Sequence, residues 1–159
     1  MTRPMEDDPL RATVLDRLKG LDNVGPFAGR QSIEQMMVSV KNDLENLLNT
    51  RHRVSNWPPT LDELDRSLVN YGVPDFAGVN MSSVADREVF RSMVEEAIRA
   101  HEPRFLKIRV DIVDNRDRLD RTLRFRIDGL IRTLPDPSEV TFDSRLDPKS
   151  HRILVDTRR

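Results

Sequence analysis

One proline separates two hydrophobic periods, and that order constrains this chain more than any other feature. Before it, Val89, Met93 and Ala97 recur every fourth residue, as do Phe90, Val94 and Ile98, which predicts a helix with one broad apolar face. After it, Leu106, Ile108, Val110 and Ile112 alternate with Lys107, Arg109 and Asp111, the period of a half-buried strand. Pro103 has no N–H to give a helix and pushes Glu102 out of the helical region. A carboxylate (Glu102) and a guanidinium (Arg104) therefore flank a rigid helix-to-strand corner.

Upstream of the corner the pattern is helical. Residues 1–9 are charged, carry prolines and show no periodic apolar face, so they read as a disordered tail. Leu10, Val14, Leu15 and Leu18 then share one side of a short amphipathic segment closed by Gly20. So short a helix is marginal alone in water, and it has to dock on its own domain or on another chain. Residues 21–30 hold two glycines and a proline and read as a linker. The chain thus divides into a tail with a docking helix and linker, 1–30, and a domain, 31–159. Within the domain, Ser32 with Gln35 forms a capping-box pattern ahead of Ile33, Met36, Met37, Val40, Leu44, Leu47 and Leu48 at helical spacing. Trp57-Pro58-Pro59 makes a rigid connector. A further helix is predicted from Thr60, capped with Glu63, with Leu61, Leu64 and Leu68 inward and Gly72 as its left-handed C-cap. Ser83 with Asp86 opens the helix that runs to the corner.

Downstream the pattern is strand. Phe105–Val113 is followed by a polar turn and by Leu123, Phe125 and Ile127, which alternate with Arg124, Arg126 and Asp128. Gly129 reads as a bulge or bend in that strand. Val140, Phe142 and Leu146 predict a third strand, and Ile153 and Val155 a fourth. Helices first and a sequential meander second give an α+β domain, with N-terminal helices on one face of a mostly antiparallel four-stranded sheet.

Several kinds of chemistry lack the residues they need. With no cysteine, thiolate catalysis and zinc–thiolate sites are impossible, and an intracellular setting fits. His52, His101 and His151 lie far apart, outside any HxxxH pattern, so no metal or other cofactor is expected. No phosphate loop, dinucleotide fingerprint or nucleophile elbow occurs. Charged residues make up 33% yet nearly cancel, leaving a net charge of −1, and aromatics are only 5%, which speaks against nucleic acid as a partner. No apolar run approaches the roughly 20 residues of a membrane span, so stable membrane insertion is not expected. Glu102 is the best candidate for a glycosidase acid, but Arg104 beside it favours the ionised carboxylate, the opposite of what that role requires. Arg124 and Arg126 share one strand face and suit either a solvated surface or a protein contact. A meander also leaves two open edges that can accept a foreign strand, and the charges of Asp156-Thr157-Arg158-Arg159 follow the last one.

Five collinear stretches carry a family resemblance: Leu15–Leu18, Ser39–Arg51, Asn70–Phe76, Glu102–Arg104 and Leu123–Leu130. Together they resemble the TssE family of type VI secretion baseplate components, which is itself similar to the small lysozyme-like wedge protein of contractile phage baseplates. The resemblance implies a structural protein rather than an enzyme, cytoplasmic and within an assembly docked at the inner membrane. It implies TssF-like and TssG-like baseplate subunits and contractile sheath subunits as partners. By the same resemblance Glu102, Pro103 and Arg104 meet other wedge subunits, with Leu15, Leu18, Arg124 and Arg126 as further contact residues. The sheet is expected to template the first sheath ring by strand addition. A peptidoglycan-degrading enzyme and a phage-tail wedge are the alternative readings.

Overall fold

A computed structural model describes residues 18, 33–52, 59–75, 83–114, 122–133, 136–147, 150 and 152–158. The expected α+β architecture is present: helices α1 (Ile33–Asn49) and α2 (Val84–His101) precede strands β1 (Phe105–Val113), β2 (Leu123–Ile131), β3 (Ser138–Leu146) and β4 (Ile153–Thr157). The strands form one sheet in the order β1-β2-β3-β4, antiparallel throughout.

Period-two burial gives the sheet its inner face. Val110, Leu123, Phe125, Ile127, Ile131, Val140, Phe142, Leu146, Ile153 and Val155 are all buried. Against them α1 packs Val40, Leu44, Leu47 and Leu48, chiefly over β4, while α2 packs Phe90, Val94 and Ile98, chiefly over β1. Phe90 meets Phe125 edge-on at 5.6 Å between ring centroids. Each such side chain, fully buried, contributes about 1.5–3 kcal/mol. The apolar stripes are narrower than periodicity predicts, since Ile33 and Val89 are exposed.

α2 begins as expected: the Ser83 hydroxyl accepts the Asp86 N–H at 3.3 Å. Ser32, the proposed cap of α1, lies outside the described residues, as does the segment 10–17. The helix expected from Thr60 is corrected to two 3₁₀ segments, Pro59–Arg66 and Leu68–Asn70, with a non-helical Leu61 (φ −112°, ψ 45°) inside the first. Leu61 and Leu68 are exposed and Leu64 only half-buried, so this stretch lacks the inward face that would stabilise an α-helix. Gly72 has φ +118°, and a Cβ there would lie 2.4 Å from the Thr50 carbonyl oxygen. That contact belongs to a parallel bridge in which the Val73 N–H donates to Thr50 at 2.9 Å, so close backbone approach is why glycine is needed.

The bulge also differs from expectation. Gly129 pairs in register with both Ile108 and Val140, and the irregularity falls on β1 between Phe105 and Lys107. Leu106 is the extra residue and is turned out to 42% exposure, which removes it from the predicted inward row. Gly129 instead makes room, since a Cβ there would lie 2.4 Å from Phe105 Cε1.

Candidate functional site

The helix-to-strand corner is an internal clasp. Helix α2 ends with the Glu102 N–H donating to Ile98 O at 2.9 Å, and Pro103 turns the exposed apex. Glu102 is 6% exposed, which demands a counter-charge. Arg104 supplies it, donating Nε–H to Oε1 at 2.7 Å and Nη2–H to Oε2 at 2.5 Å. The same guanidinium donates to Ser39 Oγ at 3.1 Å and to Asp43 Oδ2, both on α1. Burial opposes its charge, but the hydrogen bonds and charges of Glu102 and then Asp43 outweigh that, so the guanidinium is held above its ordinary pKa. The Arg104 carbonyl accepts the Arg132 N–H at 3.0 Å, which ties the start of β1 to the end of β2. Arg104 thus fixes α1 and the end of α2 through its guanidinium and the sheet through its carbonyl. Ser39 and Asp43 were not singled out from sequence, though their spacing of four puts them on one helix face.

Tyr71 borders this clasp. Burial first, then the carboxylates of Asp43 and Glu102, push its phenol above the usual value. It meets His101 edge-on at 5.3 Å, and His101 Nε2 is 3.1 Å from the Asn70 carbonyl oxygen. His52 and His101 line one cavity of about 230 Å³ with Glu96. Among the described residues no group of three or more His, Cys, Asp or Glu side chains could hold a metal ion.

The two sheet edges are unequal. The Asp147 N–H donates to Arg152 O and the Arg158 N–H to Thr141 O, which sets the phase of the β3–β4 ladder. By alternation Leu154 and Asp156 bond to β3, while Ile153 and Val155 turn their backbone groups outward. Three of those groups are met by α1. Asn49 Nδ2–H donates to Ile153 O at 2.8 Å, Asn49 Oδ1 accepts the Ile153 N–H at 2.8 Å, and Glu45 Oε1 accepts the Val155 N–H at 3.0 Å. The last strand therefore does not present the open edge considered from sequence. Continuing the alternation through β2, and consistent with the Arg132–Arg104 bond, puts the backbone groups of Ile108, Val110 and Ile112 on the side of β1 away from β2, where Val110 is fully buried and Ile108 and Ile112 half-buried. Beside that edge runs a groove of about 450 Å³, bounded by Val84, Arg87 and Arg91 of α2 and by Arg109 and Ile112 of β1.

On the outer sheet face Arg126 donates to Asp143 at 3.2 Å, and Arg124 and Arg145 are opposite each other in the β2–β3 register. Leu18 is helical and 78% exposed; Leu15 lies outside the described residues. The structure brings Glu102, Pro103 and Arg104 together at the corner and places Arg124 and Arg126 on a separate face.

The family model for the baseplate wedge protein gp25 matches residues 34–136. A chain of the solved structure described as "The baseplate complex from the type VI secretion system" is similar at 16% identity, with a TM-score of 0.48, over 72% of this chain and 96% of that one. No curated protein matches.

Proposed function

The chain belongs to the baseplate wedge protein gp25 family, and on that premise we propose that it is the TssE-like structural adaptor of a type VI secretion baseplate. It binds TssF-like and TssG-like subunits and receives strands of the contractile sheath, in a cytoplasmic assembly docked at the inner membrane. The segment 1–30 is the docking tail, with Leu15 and Leu18 on its contact side, and 31–159 is the wedge domain.

The observation that carries this reading is the inequality of the sheet edges. On β4, Asn49 and Glu45 meet both backbone groups of Ile153 and the N–H of Val155, whereas β1 borders a groove at Ile112. An arriving strand gains main-chain hydrogen bonds at the Ile112 end of β1 rather than along β4. The exposed Pro103 apex lies close to where β1 begins and suits contact with a neighbouring subunit. Glu102 and Arg104 serve that contact by holding the apex rigid, since their charged groups are bound to each other and to α1. With its carboxylate held by Arg104, Glu102 is not open to a sugar substrate.

Hydrogen exchange on the chain, alone and in a reconstituted baseplate with sheath subunits, tests the proposal. The amides of Ile108 and Ile112, which are half-buried, should become protected on sheath assembly, while those of Ile153 and Val155 stay as they were. Unchanged exchange along β1 in a fully assembled particle would reject strand addition at that edge. Proline at Leu154 is a poor probe, because that N–H points into the ladder toward Arg145.

A further inference from the structure

We propose that the cavity between His52 and helix α2 takes the side chain of an arginine presented by another protein chain, a contact that does not rest on the baseplate reading.

The cavity holds about 230 Å³ and is lined by His52, by Gly72 and by one face of α2 carrying Met93, Glu96, Ala97 and Ala100. His52 is fixed there by its backbone, whose N–H donates to the Val73 carbonyl oxygen at 3.3 Å. Its ring nitrogen Nδ1 is buried and, among the described residues, has no hydrogen-bond partner. Such an atom gives up water without replacing it and so opposes folding. The other histidine of the cavity is already in use, since His101 Nε2–H donates to the Asn70 carbonyl oxygen at 3.1 Å. The Glu96 carboxylate is exposed and has no ion pair among the described residues, whereas its neighbour Glu95 is held by Arg91 and Arg99.

Two unfilled acceptors in one cavity call for a cationic donor. With its proton on Nε2, the neutral His52 ring offers Nδ1 as a lone pair, and Glu96 offers a full negative charge. A guanidinium suits both at once, because its N–H groups diverge within one plane, while an ammonium is a compact point charge. Half-buried Met93, with Ala97 and Ala100, forms the apolar wall along which the methylene stem lies. Size and charge disfavour a free amino acid. The volume falls below the roughly 300–1,000 Å³ of small-molecule sites, and among the described residues no lysine or arginine lines the cavity to meet an α-carboxylate. A side chain reaching in from a partner's surface needs neither.

The test is a titration of the isotope-labelled full chain with an acetylated and amidated alanine–arginine–alanine tripeptide. The same tripeptide with citrulline, which keeps the shape and loses the charge, and free L-arginine run in parallel. The amide signals of Gly72, Ala97 and Ala100 and the His52 Nδ1 resonance should shift saturably with the arginine tripeptide. The citrulline form should bind at least about fivefold more weakly, and free arginine no more tightly than the tripeptide. Glu96→Gln should weaken binding by a similar factor. Ala100→Leu, at an exposed helical position, keeps both acceptors but fills the cavity, so it should abolish binding while the protein melts as before. His52→Leu removes the orphaned nitrogen and should weaken binding with no fall in melting temperature, which a merely structural histidine would not allow. Absent or scattered shifts, equal binding of the citrulline form, or tighter binding of free arginine would each overturn the proposal. So would unchanged binding in Ala100→Leu, which would leave only a surface ion pair at Glu96, or lost stability in His52→Leu.

Discussion

The carboxamide of Asn49 pairs with the backbone of Ile153 as a residue of a fifth strand would, giving one hydrogen bond and accepting another, each at 2.8 Å. The same Nδ2 also donates to the Glu45 carbonyl oxygen at 2.7 Å, so the last turn of α1 and the edge of β4 are closed by one side chain. Glu45 extends the closure to Val155. An edge that would otherwise invite indiscriminate pairing is satisfied from within, and the sheet acquires a direction.

Asn49→Ala should therefore destabilise the domain by about 1.5–4.5 kcal/mol, three hydrogen bonds at about 0.5–1.5 kcal/mol each. Urea denaturation gives the total, and amide exchange gives its location. The Ile153 N–H should exchange faster in the variant while Leu154, bonded to β3, keeps its protection relative to global unfolding. Equal acceleration at both positions would mean that Asn49 stabilises the sheet without sealing its edge.

Arg104→Ala should cost about 3–5 kcal/mol, because it leaves Glu102 buried without its counter-charge. Arg104→Lys keeps the charge but loses the fork that reaches Glu102, Ser39 and Asp43 at once, so only part of the stability should return. Asp43→Ala should be milder, since its side chain is 37% exposed and water replaces part of the contact. Thermal denaturation of the three variants should rank them in that order. A fully stable Arg104→Ala protein would remove the clasp from this account.

Two glycines should respond differently to alanine. At Gly129 the obstacle is the Phe105 ring, 2.4 Å from the added carbon, and a ring can move. The cost should be about 1–3 kcal/mol and should shrink in the background of Phe105→Leu. At Gly72 the obstacle is the Thr50 carbonyl, and the φ of +118° opposes any side chain. Gly72→Ala should cost at least about 2 kcal/mol, with no side-chain substitution able to recover it. Denaturation of the double variant Gly129→Ala with Phe105→Leu reads the coupling directly.

The contrast between these glycines shows what was legible in the chain. Hydrophobic period revealed α1, α2, all four strands and the corner at Pro103, because burial on one face dictates that period. It misplaced the bulge because the residue that yields, Leu106, is apolar and looks like the others in its row, whereas Gly129 only looks like a breaker. It read the segment from Thr60 as an α-helix because capping residues and leucines were present, though Leu61 and Leu68 stay exposed and Leu64 is only half-buried. The clasp was half visible: Glu102 and Arg104 stood out beside the proline, but Ser39 and Asp43 lie some sixty residues away and only tertiary packing joins them. The sealed edge was invisible for the same reason, as Asn49 and Ile153 are 104 residues apart.

Tyr71 offers a spectroscopic report on the clasp, because the chain holds one tyrosine and its tyrosinate absorbance is therefore unambiguous. Burial, with Asp43 and Glu102 nearby, disfavours the phenolate, so its midpoint in the folded protein should lie above the ordinary value of about 10. The linkage has a definite sign. Below the unfolded value both states keep the proton and Tyr71 makes no difference to the pH profile. As pH rises past about 10 the unfolded chain loses the proton first, so stability falls, and it continues to fall until the folded phenol ionises. Tyr71→Phe should lose that segment of the alkaline decline. Asp43→Asn should lower the midpoint only partway, because burial is the largest cause of the shift and remains in place. A midpoint at or below the ordinary value would show that the phenol is not held beside these carboxylates, and the packing of Tyr71 against the corner would have to be redrawn.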